Sequence, residues 1–324
     1  MKVVIIGAGA YALGLSFMFH ENKEKITIYS KVEEEIRKLK ETRSNEAYLK
    51  NVKIYEDISL TTDLKEAVEG SDLIVLATSS KYIENMAEEI KPYYKNQSIL
   101  IAAKGIEQNK LLFLDEIVKT ILKTKKIAIL SGPTFAIDLA KKQTVGLTVA
   151  VKNKETKLLV KKALENKYLR LRDTKDIKGV EICGAIKNVL AIASGILEGM
   201  DASNSTKAMF LTEALHDVRF LIKSLNGKKN TILSYAGFGD IILTCSSNNS
   251  RNFQLGVLIG KGKAKKEIEE YRNTNTVEGI YTLQALTKLL KREQVELPIL
   301  HLIYDIIFKE TPKEALLQFL IKKD

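Results

Sequence analysis

Cysteine and histidine are scarce. The chain holds two cysteines, Cys183 and Cys245, and three histidines, His20, His216 and His301, in 324 residues. Two distant cysteines make neither a disulfide framework nor a metal-ligand spacing. The histidines have no triad or metal partners in their stretches, so they read as structural or surface residues and no metal is expected. No apolar run reaches about 18 residues, so no membrane span is expected. No internal repeat or low-complexity tract stands out. Zinc-finger spacing and RNP-like aromatic motifs are both missing, so no nucleic-acid partner is expected.

Acidic residues are outnumbered, 40 against 51 basic, for a net charge of +11. The basic residues are spread along the chain rather than clustered. Even the densest run, "KGKAKKEIEE" at 261–270, turns acidic within a few residues. A solvated lysine-rich surface explains this, although anionic small ligands also suit it. With 45% hydrophobic and 28% charged residues the chain can build ordinary cores, and its length fits two domains. The opening "MKVVIIGAGAYALG" imitates a signal peptide, but its glycine spacing and strand-like "VVII" argue for a folded start. The cytoplasm is the default compartment.

Up to about residue 178, apolar strand-like runs alternate with helical patterns. The strands are "KVVII" at 2–6, "KITIYS" at 25–30, "DLIVLAT" at 72–78, "SILIAAKG" at 98–105, "KIAILSGP" at 126–133, "VGLTVAV" at 145–151 and "YLRLRD" at 168–173. Such alternation predicts a doubly wound parallel sheet with right-handed crossovers. Beyond it the chain turns helical over 180–200, 204–226, 250–262, 276–292 and 297–308, with a glycine-rich interruption at 236–240. The expected fold class is α/β: a Rossmann-like domain over 1–178, then an all-helical domain over 179–324.

"GAGAYA" at 7–12 follows the first strand and opens a helix. Gly7 permits the tight turn and Gly9 lets the backbone approach a pyrophosphate, which the helix N-terminus then holds. Ala12 takes the third glycine's place. The second strand ends in Ser30-Lys31 with no carboxylate at its tip, although Glu33 is close. A hydroxyl and an ammonium suit a 2′-phosphate, so NADPH is expected to be weakly preferred over NADH; a solvated Lys31 at a helix start is the other reading. Lys104 lies just beyond one parallel strand, and Ser131, Gly132 and Thr134 lie beyond the next, where open α/β sheets bind ligands.

The helical half carries "EICGAIKNVLAIASG" at 181–195, apolar almost all round, with Lys187 and Asn188 in its middle. An unpaired buried ammonium is costly. A lysine in a low-dielectric cleft can trade a proton near neutral pH, whereas a structural lysine would snorkel to solvent. "AGFGD" ends in Asp240, and "TCSSNNSRN" leads into a helix with Ser250 as a candidate cap and Arg251 as a candidate phosphate ligand. An ordinary capped helix with an exposed arginine would look the same.

Taken together, "GAGAYALGLS", "NEAYL", "AAKG", "SGPTFA", "EICGAIKNVLAIASGILEG", "GFGDIILTCSSNNSRN", "NTVEGIYT" and "ELPI" resemble, in order and over nearly the whole chain, the bacterial-type NAD(P)-dependent glycerol-3-phosphate dehydrogenase. The resemblance implies reversible reduction of dihydroxyacetone phosphate to sn-glycerol 3-phosphate, feeding glycerophospholipid synthesis. Lys187 matches the family's catalytic lysine, and Lys104 one that contacts substrate and nicotinamide. Gly132, Thr134, Asp240, Ser250, Arg251 and Asn252 match substrate-binding positions. Ala10, Tyr11, Ala136, Arg251, Val277 and Glu278 match cofactor contacts. Asp240 would orient a lysine or a substrate hydroxyl. Ala12, Lys50 and Glu213 depart from the family pattern. A homodimer is compatible with this reading. Two alternatives stay open: another two-domain reductase of the ketopantoate or 6-phosphogluconate type, and a cofactor-binding protein without chemistry.

Overall fold

The computed structural model describes residues 1–47 and 49–322; Tyr48 of "NEAYL" and residues 323–324 lie outside it. The chain forms two compact units. One comprises Met1–Lys104 and Phe113–Ile177, the other Gly105–Leu112 and Lys178–Asp324. Arg292 binds the short segment into the second unit, donating to the carbonyls of Lys110 and Leu111. A single boundary in sequence does not describe that excursion.

The first unit is a Rossmann-like sheet of eight strands among the described residues, in the order β3-β2-β1-β4-β5-β6-β7-β8. They are β1 (Lys2–Ile6), β2 (Lys25–Tyr29), β3 (Ser59–Thr61), β4 (Leu73–Leu76), β5 (Ser98–Ile101), β6 (Ile127–Ser131), β7 (Val145–Val151) and β8 (Leu169–Thr174). The helices are α1 (Ala10–Glu21), α2 (Glu33–Thr42), α3 (Leu64–Val68), α4 (Ile83–Ile90), α5 (Leu114–Leu122), α6 (Ala136–Ala140) and α7 (Lys154–Leu164). The continuous apolar runs become central strands: β4, β5 and β6 are buried at every residue. β8 lies at an edge and alternates, with Leu169 and Leu171 inward and Arg170 and Arg172 outward.

Two features depart from the sequence expectation. The edge strand β3 has three residues, too few for a pattern to show. β7 runs antiparallel to β6, so the sheet is not wholly parallel. The reason lies in the connection. A parallel crossover must carry the chain back along the strand, but α6 has five residues and rises only about 7.5 Å. It packs against α1 instead, and the chain returns beside β6 in the opposite sense.

The second unit is all-helical: α8 (Ile177–Gly199), α9 (Asn204–Ser224), α10 (Asp240–Cys245), α11 (Arg251–Gly260), α12 (Lys265–Thr274), α13 (Glu278–Arg292), α14 (Pro298–Phe308) and α15 (Ala315–Lys322). α12 arises from the lysine-rich run, which reads as charge rather than as a helix because none of its residues is buried. α8 is long and apolar enough to cross a membrane by length and composition alone, but its apolar stretch is wholly buried within the fold. Nor is the glycine-rich stretch before Asp240 an interruption. Tyr235–Gly239 winds as a π-helical turn, with the Gly239 N–H donating to the Ser234 carbonyl. A Cβ at Gly237 would run into the Ile232 carbonyl, so glycine permits this tight passage.

α8 and α11 touch backbone to backbone. A Cβ at Gly195 would strike the Phe253 carbonyl and one at Gly199 the Val257 carbonyl; in return, Gly256 faces the Ile192 carbonyl and Gly260 the Ile196 carbonyl. Two glycines four apart on each helix thus form a seam.

Candidate functional site

In the first unit, the residues singled out by sequence gather at the carboxyl ends of β1, β5 and β6. Gly7 ends β1 with φ +121°, and a Cβ there would meet the Ala77 carbonyl oxygen at 2.9 Å. Only glycine fits that turn. Gly9 is different: it is extended, and a Cβ would meet nothing within 4 Å. The space over Gly9 is open, and no side chain caps α1, whose first turn holds no acid. An uncapped helix start beneath a bare backbone is what a pyrophosphate needs, so the residues present fit a dinucleotide. Ala10 begins this helix, and the fully buried Ala12 accommodates the departure from a third glycine.

Tyr11 joins three strand ends. Its hydroxyl lies 3.3 Å from Thr134 Oγ1, and Lys104 Nζ sits 5.3 Å from its ring centroid. Gly132 has φ +154°, and its carbonyl accepts from the Thr134 N–H at 2.9 Å, which closes a tight turn after β6. Ala136 starts α6 against α1, where a Cβ at Gly14 would meet its carbonyl oxygen at 2.8 Å.

Ser30 and Lys31 sit beside this turn, because the Gly7 N–H donates to the Tyr29 carbonyl at 2.8 Å. Both have partners that were not foreseen. Ser30 Oγ donates to Glu35 Oε2 at 2.6 Å, and Lys31 Nζ to Glu89 Oε1 at 2.7 Å. A carboxylate does stand at the strand tip, folded back from the first turn of α2.

In the second unit, Lys187 lies on α8 and is buried, as are the residues of the helix on either side of it. It is paired rather than lone: Nζ donates to Asp240 Oδ1 at 2.5 Å. Asp240 itself is 1% exposed. The π-helical turn delivers it to the first position of α10. Thr244, one turn later, donates to the Asp240 carbonyl at 2.6 Å and lies 3.4 Å from Oδ1. Sequence reasoning passed over Thr244; its spacing of four from Asp240 on a helix was the available signal. Cys245 follows, and burial pushes its thiol pKa well up.

Ser250 caps α11, accepting the Phe253 N–H at 3.2 Å. Arg251 begins that helix with an exposed side chain. Asn252 is buried, and its Oδ1 accepts the Gly279 N–H at 2.9 Å. This bond ties the start of α11 to the start of α13, where Val277 and Glu278 lie. Gly279 also packs on the Asn188 carbonyl, which a Cβ would meet at 2.7 Å. The ammonium's neighbour on α8 and two helix starts therefore meet at one place. The arrangement offers an acid–base group with a fixed counter-charge, and a helix N-terminus with an arginine for an anion.

Two family models match the chain: NAD-dependent glycerol-3-phosphate dehydrogenase N-terminus over residues 2–157, and the C-terminus of the same family over residues 176–318. A glycerol-3-phosphate dehydrogenase [NAD(P)+] of Fusobacterium nucleatum is 35% identical, covering 99% of this chain and 97% of that protein. One from Staphylococcus epidermidis is 32% identical, covering 100% and 98%. The crystal structure of glycerol-3-phosphate dehydrogenase from Coxiella burnetii superposes with a TM-score of 0.93 at 27% identity, covering 99% of each chain.

Proposed function

Because the chain belongs to the NAD-dependent glycerol-3-phosphate dehydrogenase family, we propose that it reversibly reduces dihydroxyacetone phosphate to sn-glycerol 3-phosphate. The observation that carries the reading is the buried Lys187–Asp240 pair, on a chain matched end to end. Gly7, Gly9, Ala10 and Tyr11, with Ala136, would hold the dinucleotide in the first unit; in the second, Arg251, Val277 and Glu278 match the family's cofactor-contact positions. The nicotinamide, when bound, supplies the hydride for reduction and accepts it in reverse.

The protein's part concerns the oxygen. As the carbonyl π bond breaks, negative charge grows on that oxygen. Lys187 stabilises the charge and gives up a proton from Nζ, leaving a neutral amine that solvent reprotonates. Such general acid help is worth about 10²–10⁴-fold. Asp240 holds the ammonium in place through the 2.5 Å bond. In the first unit, Lys104, Gly132 and Thr134 match the family's substrate-binding positions. Ser250, Arg251, Asn252 and the start of α11 hold the phosphate.

NADH or NADPH serves, and the preference between them turns on the partners of Ser30 and Lys31. The enzyme works in the cytoplasm, as a homodimer, and its product feeds glycerophospholipid synthesis. The test follows oxidation of NADH or NADPH at neutral pH with dihydroxyacetone phosphate or with ketopantoate, and reduction of NAD+ or NADP+ with 6-phosphogluconate. Turnover with dihydroxyacetone phosphate alone supports the reading, and its absence overturns it.

A further inference from the structure

The amino-acid order suggests a strand tip built for a phosphate: a hydroxyl, an ammonium and no acid at β2's end. Folding changes its character. α2 begins three residues after β2's tip serine, and its first turn brings Glu35 back so that Ser30 Oγ donates to Oε2 at 2.6 Å. The Val32 N–H donates to the same Ser30 oxygen at 3.2 Å, which fixes the loop in this shape. Lys31 reaches across to α4 and meets Glu89 at 2.7 Å. The negative field is felt nearby: burial first, and then the Glu89 carboxylate, raise the Tyr29 hydroxyl pKa.

We infer that Glu35 and Glu89 set the cofactor preference, with Glu35 reading the adenosine ribose hydroxyls and both carboxylates disfavouring a 2′-phosphate, so that NADH is the preferred cofactor. The inference rests on the dinucleotide reading of the first unit. A carboxylate at this place in a doubly wound fold hydrogen-bonds ribose hydroxyls. Ser30 occupies one acceptor site of Glu35, and a carboxylate has about four. A 2′-phosphate would find Ser30 already donating and Lys31 already neutralised, beside two like charges. Glu89 has the smaller effect, because its pair with Lys31 is exposed and such pairs are weak.

The test is equilibrium binding of NADH and of NADPH, without substrate, followed by the fluorescence of the reduced nicotinamide. The wild-type protein is expected to bind NADH more tightly than NADPH by about tenfold. Glu35→Gln keeps an oxygen for Ser30 but removes the charge. It should shift the ratio of the two dissociation constants toward NADPH by about tenfold. Glu89→Gln should shift it in the same direction by about threefold. Thermal melting of each variant checks that the fold is kept. Tighter wild-type binding of NADPH, or a ratio indifferent to Glu35→Gln, overturns the inference. A wild-type protein that binds neither cofactor overturns the dinucleotide reading and this inference with it. Selective NADH binding without dihydroxyacetone phosphate reduction supports this inference while overturning the reaction.

Discussion

Lys187 and Asp240, 53 residues apart in the chain, meet at 2.5 Å inside the helical unit. Their side chains are 10% and 1% exposed. The pair answers the difficulty of an ammonium in an apolar helix, because the counter-charge comes from another helix start. Removing one partner of a buried pair leaves an uncompensated charge and costs about 3–5 kcal/mol, whereas replacing both by apolar groups is often neutral or stabilising. Lys187→Met should therefore lower the urea midpoint, and Lys187→Met combined with Asp240→Leu should recover it. A double variant no more stable than either single one would show that the pair is not the source of the loss.

The same lysine separates chemistry from binding. Lys187→Ala should lower kcat by about 10²-fold or more, the worth of a general acid, while cofactor affinity stays near normal. Turnover within about threefold of the parent would remove Lys187 from the chemistry.

Arg251→Ala should raise KM for dihydroxyacetone phosphate by more than about tenfold, since a hydrogen bond to a charged group is worth about 1.5–3 kcal/mol. Cofactor KM should rise too if Arg251 also meets the dinucleotide. An unchanged substrate KM would place the phosphate away from the start of α11.

Two glycines should fail in opposite ways. At Gly9 an added methyl meets open space, so Gly9→Ala should fold with unchanged stability but bind cofactor about tenfold less tightly or worse. At Gly256 the methyl meets the Ile192 carbonyl, so Gly256→Ala should cost about 1–3 kcal/mol or more of stability. Denaturant midpoints and cofactor titrations on both variants check the contrast.

Both cysteines are buried, and desolvation keeps the Cys245 thiol protonated. Alkylation needs the thiolate and access to it. At neutral pH neither cysteine should react until the unit opens, so the labelling rate should rise with denaturant along the unfolding curve. Fast labelling of the native protein would contradict this.

The sequence made some of this legible. β1, the turn at Gly7 and the buried strands are local: an apolar run followed by glycines says what it will do. Lys187 was legible as an anomaly, because a charge within an apolar helix breaks the pattern around it. What stayed hidden depends on distance or direction. The antiparallel course of β7 follows from how short α6 is. Glu35 reaches the strand tip only after α2 has turned, so a scan for an acid at the tip passes it by. Thr244 and the glycines of α8 and α11 take their meaning from neighbours on other helices. α12 shows no buried face that a periodicity could betray.

The seam between α8 and α11 has a consequence for heat. Most helix pairs are held apart by side chains, which hop among rotamers and let the spacing breathe. Here main-chain atoms are the spacers, and their dimensions are set by covalent bonds. Lys187 on one helix and Ser250 at the head of the other are thus held at the two ends of a stiff ruler. Warming should leave that ruler's length almost unchanged, and activity should follow ordinary kinetics until the seam parts. Its loss should then be abrupt, since a contact without slack has no half-open state.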